Sequence, residues 1–248
     1  MKILLIGAGN MGGAMLAGLT EYDVSVVEAY EPRRRELATL HPDLTLMESI
    51  PPLDGYVVLL AIKPQSLEQL EVTGEAEALI SILAGTPLAR LREKVAAKAY
   101  IRAMPNIAAL KRKSVTSVTG DVAFKEIALK ILSSVGKAIW LESEKQLDIA
   151  TGIGGSAPAW MALVAEALAD GAVNLGLPRA VSYEYVAALM EGMGALLAEE
   201  HPALLKDKVM SPGGTTAAGY AALEEGGVRD SFIKAMERCY DRSVALGK

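Results

Sequence analysis

Ile3 to Ile6, an apolar run with no polar face, opens a series of strand-like segments in the first part of the chain. Ile3 to Ile6, Val24 to Tyr30, Leu44 to Met47, Tyr56 to Ile62, Ala78 to Leu83, Tyr100 to Met104, Ser114 to Thr119 and Lys137 to Leu141 read as strands. Continuous apolar character is the mark of strands buried on both faces of a parallel sheet. Between them lie helical stretches at Asn10 to Leu19, Arg33 to Leu40 behind Pro32, Gln65 to Leu70, Leu88 to Ala97 and Lys125 to Val135. Strands separated by single helices predict an α/β fold with a mostly parallel, doubly wound sheet. After Leu141 no strand pattern returns. Trp160 to Asn174, Pro178 to about Glu200, Gly214 to Glu224 and Val228 to Leu246 read as helices. The chain is expected to divide into residues 1–144 and an all-helical part, 145–248. Val186 to Ala198 is apolar nearly all round, so one buried face cannot account for it, and it is predicted to form a subunit interface rather than an ordinary core. A membrane span does not fit, because Glu184, Glu191 and Glu199 interrupt the stretch and its uncharged parts fall short of about eighteen residues.

The first apolar run meets Gly7, Gly9 and Gly12 in G-x-G-x-x-G spacing and then a helix. In that context each glycine has its own reason: a tight turn, close approach of a pyrophosphate, and close packing of helix on strand. The helix start at Asn10 and Met11 offers unpaired N–H groups to phosphate. This predicts a Rossmann-type dinucleotide site, whose ligand lies beyond the carboxyl ends of the strands. There the sequence also places Glu31 with Arg33, Arg34 and Arg35, Ala61-Ile62-Lys63-Pro64, and Met104-Pro105-Asn106. Glu31 lies near the position, about twenty residues past the glycines, where a carboxylate takes the ribose diol of NADH. The arginines suit a ribose 2′-phosphate and lean the reading to NADPH, with NADH as the alternative; they read equally well as a solvated first helical turn.

Composition narrows the class. The formal net charge of −5 and pI near 5.3, with no basic face, argue against a nucleic-acid partner and leave a small-molecule substrate. A single cysteine, Cys239, excludes an intrachain disulfide and fits a reducing, cytoplasmic setting, where it reads as a small buried apolar residue. The apolar start breaks at Gly7, too soon for a secretory signal. His41 and His201 lie far apart, each beside a proline, so no metal site is expected.

Val209-Met210-Ser211-Pro212-Gly213-Gly214-Thr215-Thr216 carries the chemistry of the second half. Two glycines and hydroxyl residues at a helix start place N–H donors around one point, which suits a carboxylate; a plain capped helix start is the other reading. Ser-Pro-Gly-Gly-Thr-Thr, with Ala218-Gly219, Ala222-Leu223-Glu224 and Gly227-x-Arg229 beyond, resembles the signature of pyrroline-5-carboxylate reductases. The likeness extends over the whole chain, through Gly-Ala-Gly-Asn-Met-Gly at Gly7, Ala61-Ile62-Lys63-Pro64-Gln65, Arg102-x-Met104-Pro105-Asn106 and Gly155-Ser156-x-Pro158-Ala159.

The resemblance implies reduction of 1-pyrroline-5-carboxylate to L-proline by NAD(P)H, the last step of proline synthesis, on a Rossmann domain followed by a helical dimerisation domain that interlocks two subunits. It implies that Ser211, Gly213, Gly214 and Thr215 bind the carboxylate, that Thr216 hydrogen-bonds the ring nitrogen as the catalytic residue, and that Glu199 lies near the substrate. Departures from the family pattern fall at Gly154, Ala157, Trp160, Met210 and Ile107-Ala108. Two other classes share the plan: a β-hydroxyacid dehydrogenase, which would need a lysine where Met193, Ala195 and Leu196 stand, and a non-catalytic nucleotide-binding dimer.

Overall fold

A computed structural model describes residues 1–246. Among them are β1 (Lys2–Ile6), β2 (Asp23–Val27), β3 (Thr45–Met47), β4 (Tyr56–Leu60), β5 (Ala78–Ser81), β6 (Tyr100–Met104), β7 (Ser114–Gly120) and β8 (Gly136–Trp140). They form one sheet in the order β3-β2-β1-β4-β5-β6-β7-β8. All neighbours run parallel except β6 and β7, which a short 3-10 turn at Ile107–Lys111 joins without a crossover helix. The absence of a polar face in β1 has a direct cause. Ile3 and Leu5 enter the core on one side of the sheet, whereas Leu4 and Ile6 enter the core on the other. Helices α1 (Asn10–Gly18), α2 (Glu31–Leu40), α3 (Leu88–Lys94) and α4 (Lys125–Leu132) complete the Rossmann-type arrangement. The strand order reverses direction between β1 and β4, and a crevice at that switch point is where such folds bind ligands.

The helical part comprises α5 (Glu144–Thr151), a π-helical turn at Gly152–Ser156, α6 (Ala157–Asn174), α7 (Arg179–Glu199), α8 (Pro202–Val209), α9 (Thr215–Glu225) and α10 (Val228–Leu246). Packing divides the chain into two compact units, Met1–Ser156 with the chain from Arg238 onward, and Ala157–Glu237. The second unit pairs α6 with α7 through a turn at Gly176, whose φ of +102° suits glycine. Among the described residues no helix is long and apolar enough to cross a membrane.

Several elements differ from the sequence expectation, β4 and β5 among them, which stop at Leu60 and Ser81, short of Ile62 and Leu83. Strand β2 stops at Val27, not Tyr30, because the Glu28 carboxylate accepts the Tyr30 N–H at 2.9 Å and turns the chain into α2. Helix α5 was not expected, although Ser143 caps it by accepting the Gln146 N–H at 3.3 Å, a start signal present in the sequence. Helix α8 is likewise added, with His201 as its cap and Pro202 in its first turn.

Candidate functional site

The turn after β1 is built by sterics. Gly7 has φ +91°, and a Cβ there would stand 2.9 Å from the Ala61 carbonyl oxygen. Its N–H donates to the Val27 carbonyl at 2.9 Å, tying the loop to β2. A Cβ on Gly12 would collide with the Gly7 carbonyl oxygen, so only glycine lets α1 start this close to β1. Gly9 is the opposite case, since a Cβ there would meet nothing within 4 Å. The first intrahelical bond runs from the Gly13 N–H to the Gly9 carbonyl at 2.7 Å, so the N–H groups of Asn10, Met11 and Gly12 precede the ladder. Open space before Gly9 and a row of free donors make a cradle that fits a pyrophosphate.

At the end of β2 the acidic side chain nearest this loop is Glu28. One of its oxygens accepts the Ala8 N–H and the other the Tyr30 N–H, each at 2.9 Å. Glu31, the residue expected at the ribose, stands on the first turn of α2 and pairs with Arg35 at 2.5 Å, both well exposed. The three arginines part company. Arg33 donates from Nε to the Ala8 carbonyl at 2.8 Å and pairs with Glu36 at 2.7 Å. Arg34 donates to the Glu28 carbonyl at 2.7 Å and lies 3.4 Å from Glu48. The solvated-turn reading thus describes Arg35 alone. A strand running to Tyr30 hides Glu28, whose signal in the sequence is its place directly after Val26-Val27, the last residues of β2.

Ala61 and Ile62 press on Gly7 from the end of β4, while Lys63 and Pro64 open a 3-10 turn and are exposed. Beyond β6, Met104 packs near Gly155 and Pro105 is buried. The Asn106 amide is spent inside the protein: Oδ1 accepts the Ala108 N–H at 3.1 Å and Nδ2 donates to the Gly154 carbonyl at 2.8 Å. It therefore fixes the crevice wall to the π-turn. Arg102, buried in β6, pairs with Glu144 at 2.6 Å and Asp148 at 3.2 Å and anchors α5 to β6. These contacts, unseen in the sequence, join residues 42 and 46 positions apart.

In the second unit, α8 ends at Val209 with Met210 as its cap, and the chain turns through Ser211-Pro212-Gly213-Gly214 into α9. Gly213 has φ +69°, and the Gly214 N–H donates to the Ser211 carbonyl at 3.0 Å. A side chain on Gly214 would collide with the Ser211 hydroxyl. Gly214 is the N-cap and no side chain caps α9. The hydroxyls of Ser211, Thr215 and Thr216 thus stand exposed at a helix start whose first N–H groups lack helical partners, an arrangement able to receive a carboxylate. Arg229 donates to Tyr220 Oη at 2.8 Å and to Glu224 at 2.6 Å, which pins α9 to α10 and holds the Glu224 carboxyl below the usual carboxylate range. Glu199, the last residue of α7, is exposed; its neighbour Glu200 pairs with Lys208 at 2.6 Å.

Residues 144–246 match the family described as pyrroline-5-carboxylate reductase dimerisation, and residues 2–85 the family described as NADP oxidoreductase, coenzyme F420-dependent. The chain is 38% identical over 269 residues to a pyrroline-5-carboxylate reductase of Synechocystis sp., covering 100% of this chain and 99% of that one. Among solved structures, a 1-pyrroline-5-carboxylate reductase of Streptococcus pyogenes superimposes with a TM-score of 0.85 at 30% identity, covering 99% and 98% of the two chains. A pyrroline carboxylate reductase of Plasmodium falciparum solved with NADP bound gives 0.81 at 25% identity, covering 100% of both.

Proposed function

The chain belongs to the pyrroline-5-carboxylate reductase family and catalyses reduction of 1-pyrroline-5-carboxylate to L-proline with a nicotinamide cofactor, and from that premise we propose the roles its residues play. The dinucleotide lies along Gly7, Gly9, Asn10, Met11 and Gly12, with Arg33, Ala61 to Pro64 and Met104-Pro105 as the surrounding walls and Asn106 holding the last of these in place. The substrate carboxylate is received by the Thr215 N–H and by the Ser211 hydroxyl, with Gly213 and Gly214, whose own N–H is spent on the Ser211 carbonyl, shaping the turn and Glu199 nearby. The protein acts as a cytoplasmic homo-oligomer of interlocked dimers with no nucleic-acid partner. The observation that carries the substrate assignment is the uncapped start of α9, where three hydroxyls are free to face a ligand instead of serving the helix.

The reaction asks little of the protein. A cyclic imine that arrives protonated is already electrophilic, so no nucleophile and no metal is needed, and position and charge do most of the work. When bound, the reduced nicotinamide supplies the hydride. The α9 start holds the carboxylate, which fixes the ring. The Thr216 oxygen accepts a hydrogen bond from the iminium N–H and keeps the carbon–nitrogen bond aligned while its π electrons move onto nitrogen.

Thr216→Ala tests these roles. Loss of one hydrogen bond beside charge is expected to lower kcat/KM about ten- to a hundredfold, corresponding to roughly 1.5–3 kcal/mol, with cofactor affinity nearly unchanged. Thr215→Ala, which keeps the backbone donor, serves as the neighbouring control. Normal turnover with a lowered melting temperature in Thr216→Ala would show a structural residue only.

A further inference from the structure

We infer that Glu28 sets the cofactor preference of this enzyme, and that it selects NADH by accepting the adenosine ribose hydroxyls and repelling a 2′-phosphate. The inference rests on the reading of the Gly7–Gly12 crevice as the dinucleotide site and names the residue that discriminates there.

The geometry leads to Glu28 from three sides. Its side chain leaves the chain one residue past the end of β2 and reaches back to the glycine loop, where one oxygen accepts the Ala8 N–H at 2.9 Å. The carboxylate is thereby placed against the loop that cradles the pyrophosphate, within reach of a ribose next to it. Its second oxygen is held by the Tyr30 N–H at 2.9 Å, so the side chain has one fixed orientation. Each oxygen spends one of its lone pairs on the backbone and keeps acceptor capacity for a hydroxyl, which a ribose diol supplies and a phosphate dianion does not. A dianion in the same place would face a full negative charge at close range.

The cations that would offset that repulsion are engaged elsewhere. Arg35 pairs with Glu31 in solvent, and Arg34 divides its guanidinium between the Glu28 carbonyl and Glu48. Arg33 lies over the loop, donating to the Ala8 carbonyl and to Glu36; a Cβ on Gly13 would come 2.5 Å from its NH2 nitrogen. It closes the loop from above, its charge already shared with a carboxylate. The lean to NADPH that the arginine run suggests in the sequence is therefore countered by where these side chains go.

Equilibrium binding of two unreactive probes, ADP-ribose and its 2′-phosphorylated form, to the full-length protein tests the inference without turnover. The parent protein is expected to bind ADP-ribose at least about tenfold more tightly than the phosphorylated probe, since a like charge at contact distance opposes the latter. Glu28→Gln, which removes the charge and keeps one acceptor, is expected to bring the two affinities within about threefold of each other. Glu28→Ser, smaller and neutral, stands in if Glu28→Gln misfolds. Glu31→Ala is expected to leave the parent ratio as it is. Equal or tighter binding of the phosphorylated probe by the parent protein would overturn the role of Glu28 alone, as would an unchanged ratio in the Glu28 variants. Binding of neither probe would overturn it together with the crevice itself.

Discussion

Gly9→Val is expected to abolish binding of NADH and NADPH while the protein folds and melts as before. Gly9 sits at φ −63°, a value valine adopts, and a Cβ there meets no protein atom within 4 Å. The folded protein should therefore accept the larger side chain. The space that valine fills is the approach to the α1 N–H groups, so a pyrophosphate loses its contact with the backbone. Gly12→Val supplies the contrast: its Cβ would collide with the Gly7 carbonyl oxygen, and that change should disrupt the packing of α1 on β1. Fluorescence titration with both cofactors, alongside thermal melts, distinguishes the two. Parental affinity in Gly9→Val would remove the dinucleotide from this crevice.

Leu196→Asp is expected to break the homodimer. In the single protomer Leu189, Leu196 and Leu197 on α7 are about half exposed, at 50%, 48% and 47%, and Leu163 and Leu168 on α6 are exposed as well. That much uncovered leucine on two paired helices is more than a soluble protein leaves to water, and the matched dimerisation region contains both helices. A carboxylate placed in an apolar interface costs several kcal/mol unless it finds a partner. Sedimentation should show monomer or aggregate for the variant and dimer or larger for the parent. A stable dimer of native size after the change would move the interface elsewhere on the protein.

How far the sequence discloses this protein depends on how local each cause is. The β1-turn-α1 unit was legible because its requirements lie within a dozen residues: an apolar strand, three spaced glycines and a helix. The Ser211–Thr216 turn was legible as a motif, yet only the structure reveals that no side chain caps α9. Glu28 is harder to read, because what places it at the glycine loop is its hydrogen bond from the Ala8 N–H, twenty residues away in sequence. Arg33, Arg34 and Arg35 look alike in the sequence and take three different partners, since a helix turns each to a different side. The pairing of Arg102 with Glu144 and Asp148 is tertiary: the two carboxylates stand four residues apart on α5, and nothing near them announces Arg102.

This chain transfers a hydride from a nicotinamide cofactor to the imine carbon of 1-pyrroline-5-carboxylate. Single-turnover reaction with cofactor deuterated at the transferable C4 position, followed by NMR of the product, measures that transfer directly. The expected product is L-proline carrying one deuterium, on the ring carbon beside nitrogen that does not bear the carboxylate, formed one for one with oxidised cofactor. Proline without deuterium at that carbon, or bound cofactor that stays reduced beside unchanged substrate, would contradict it.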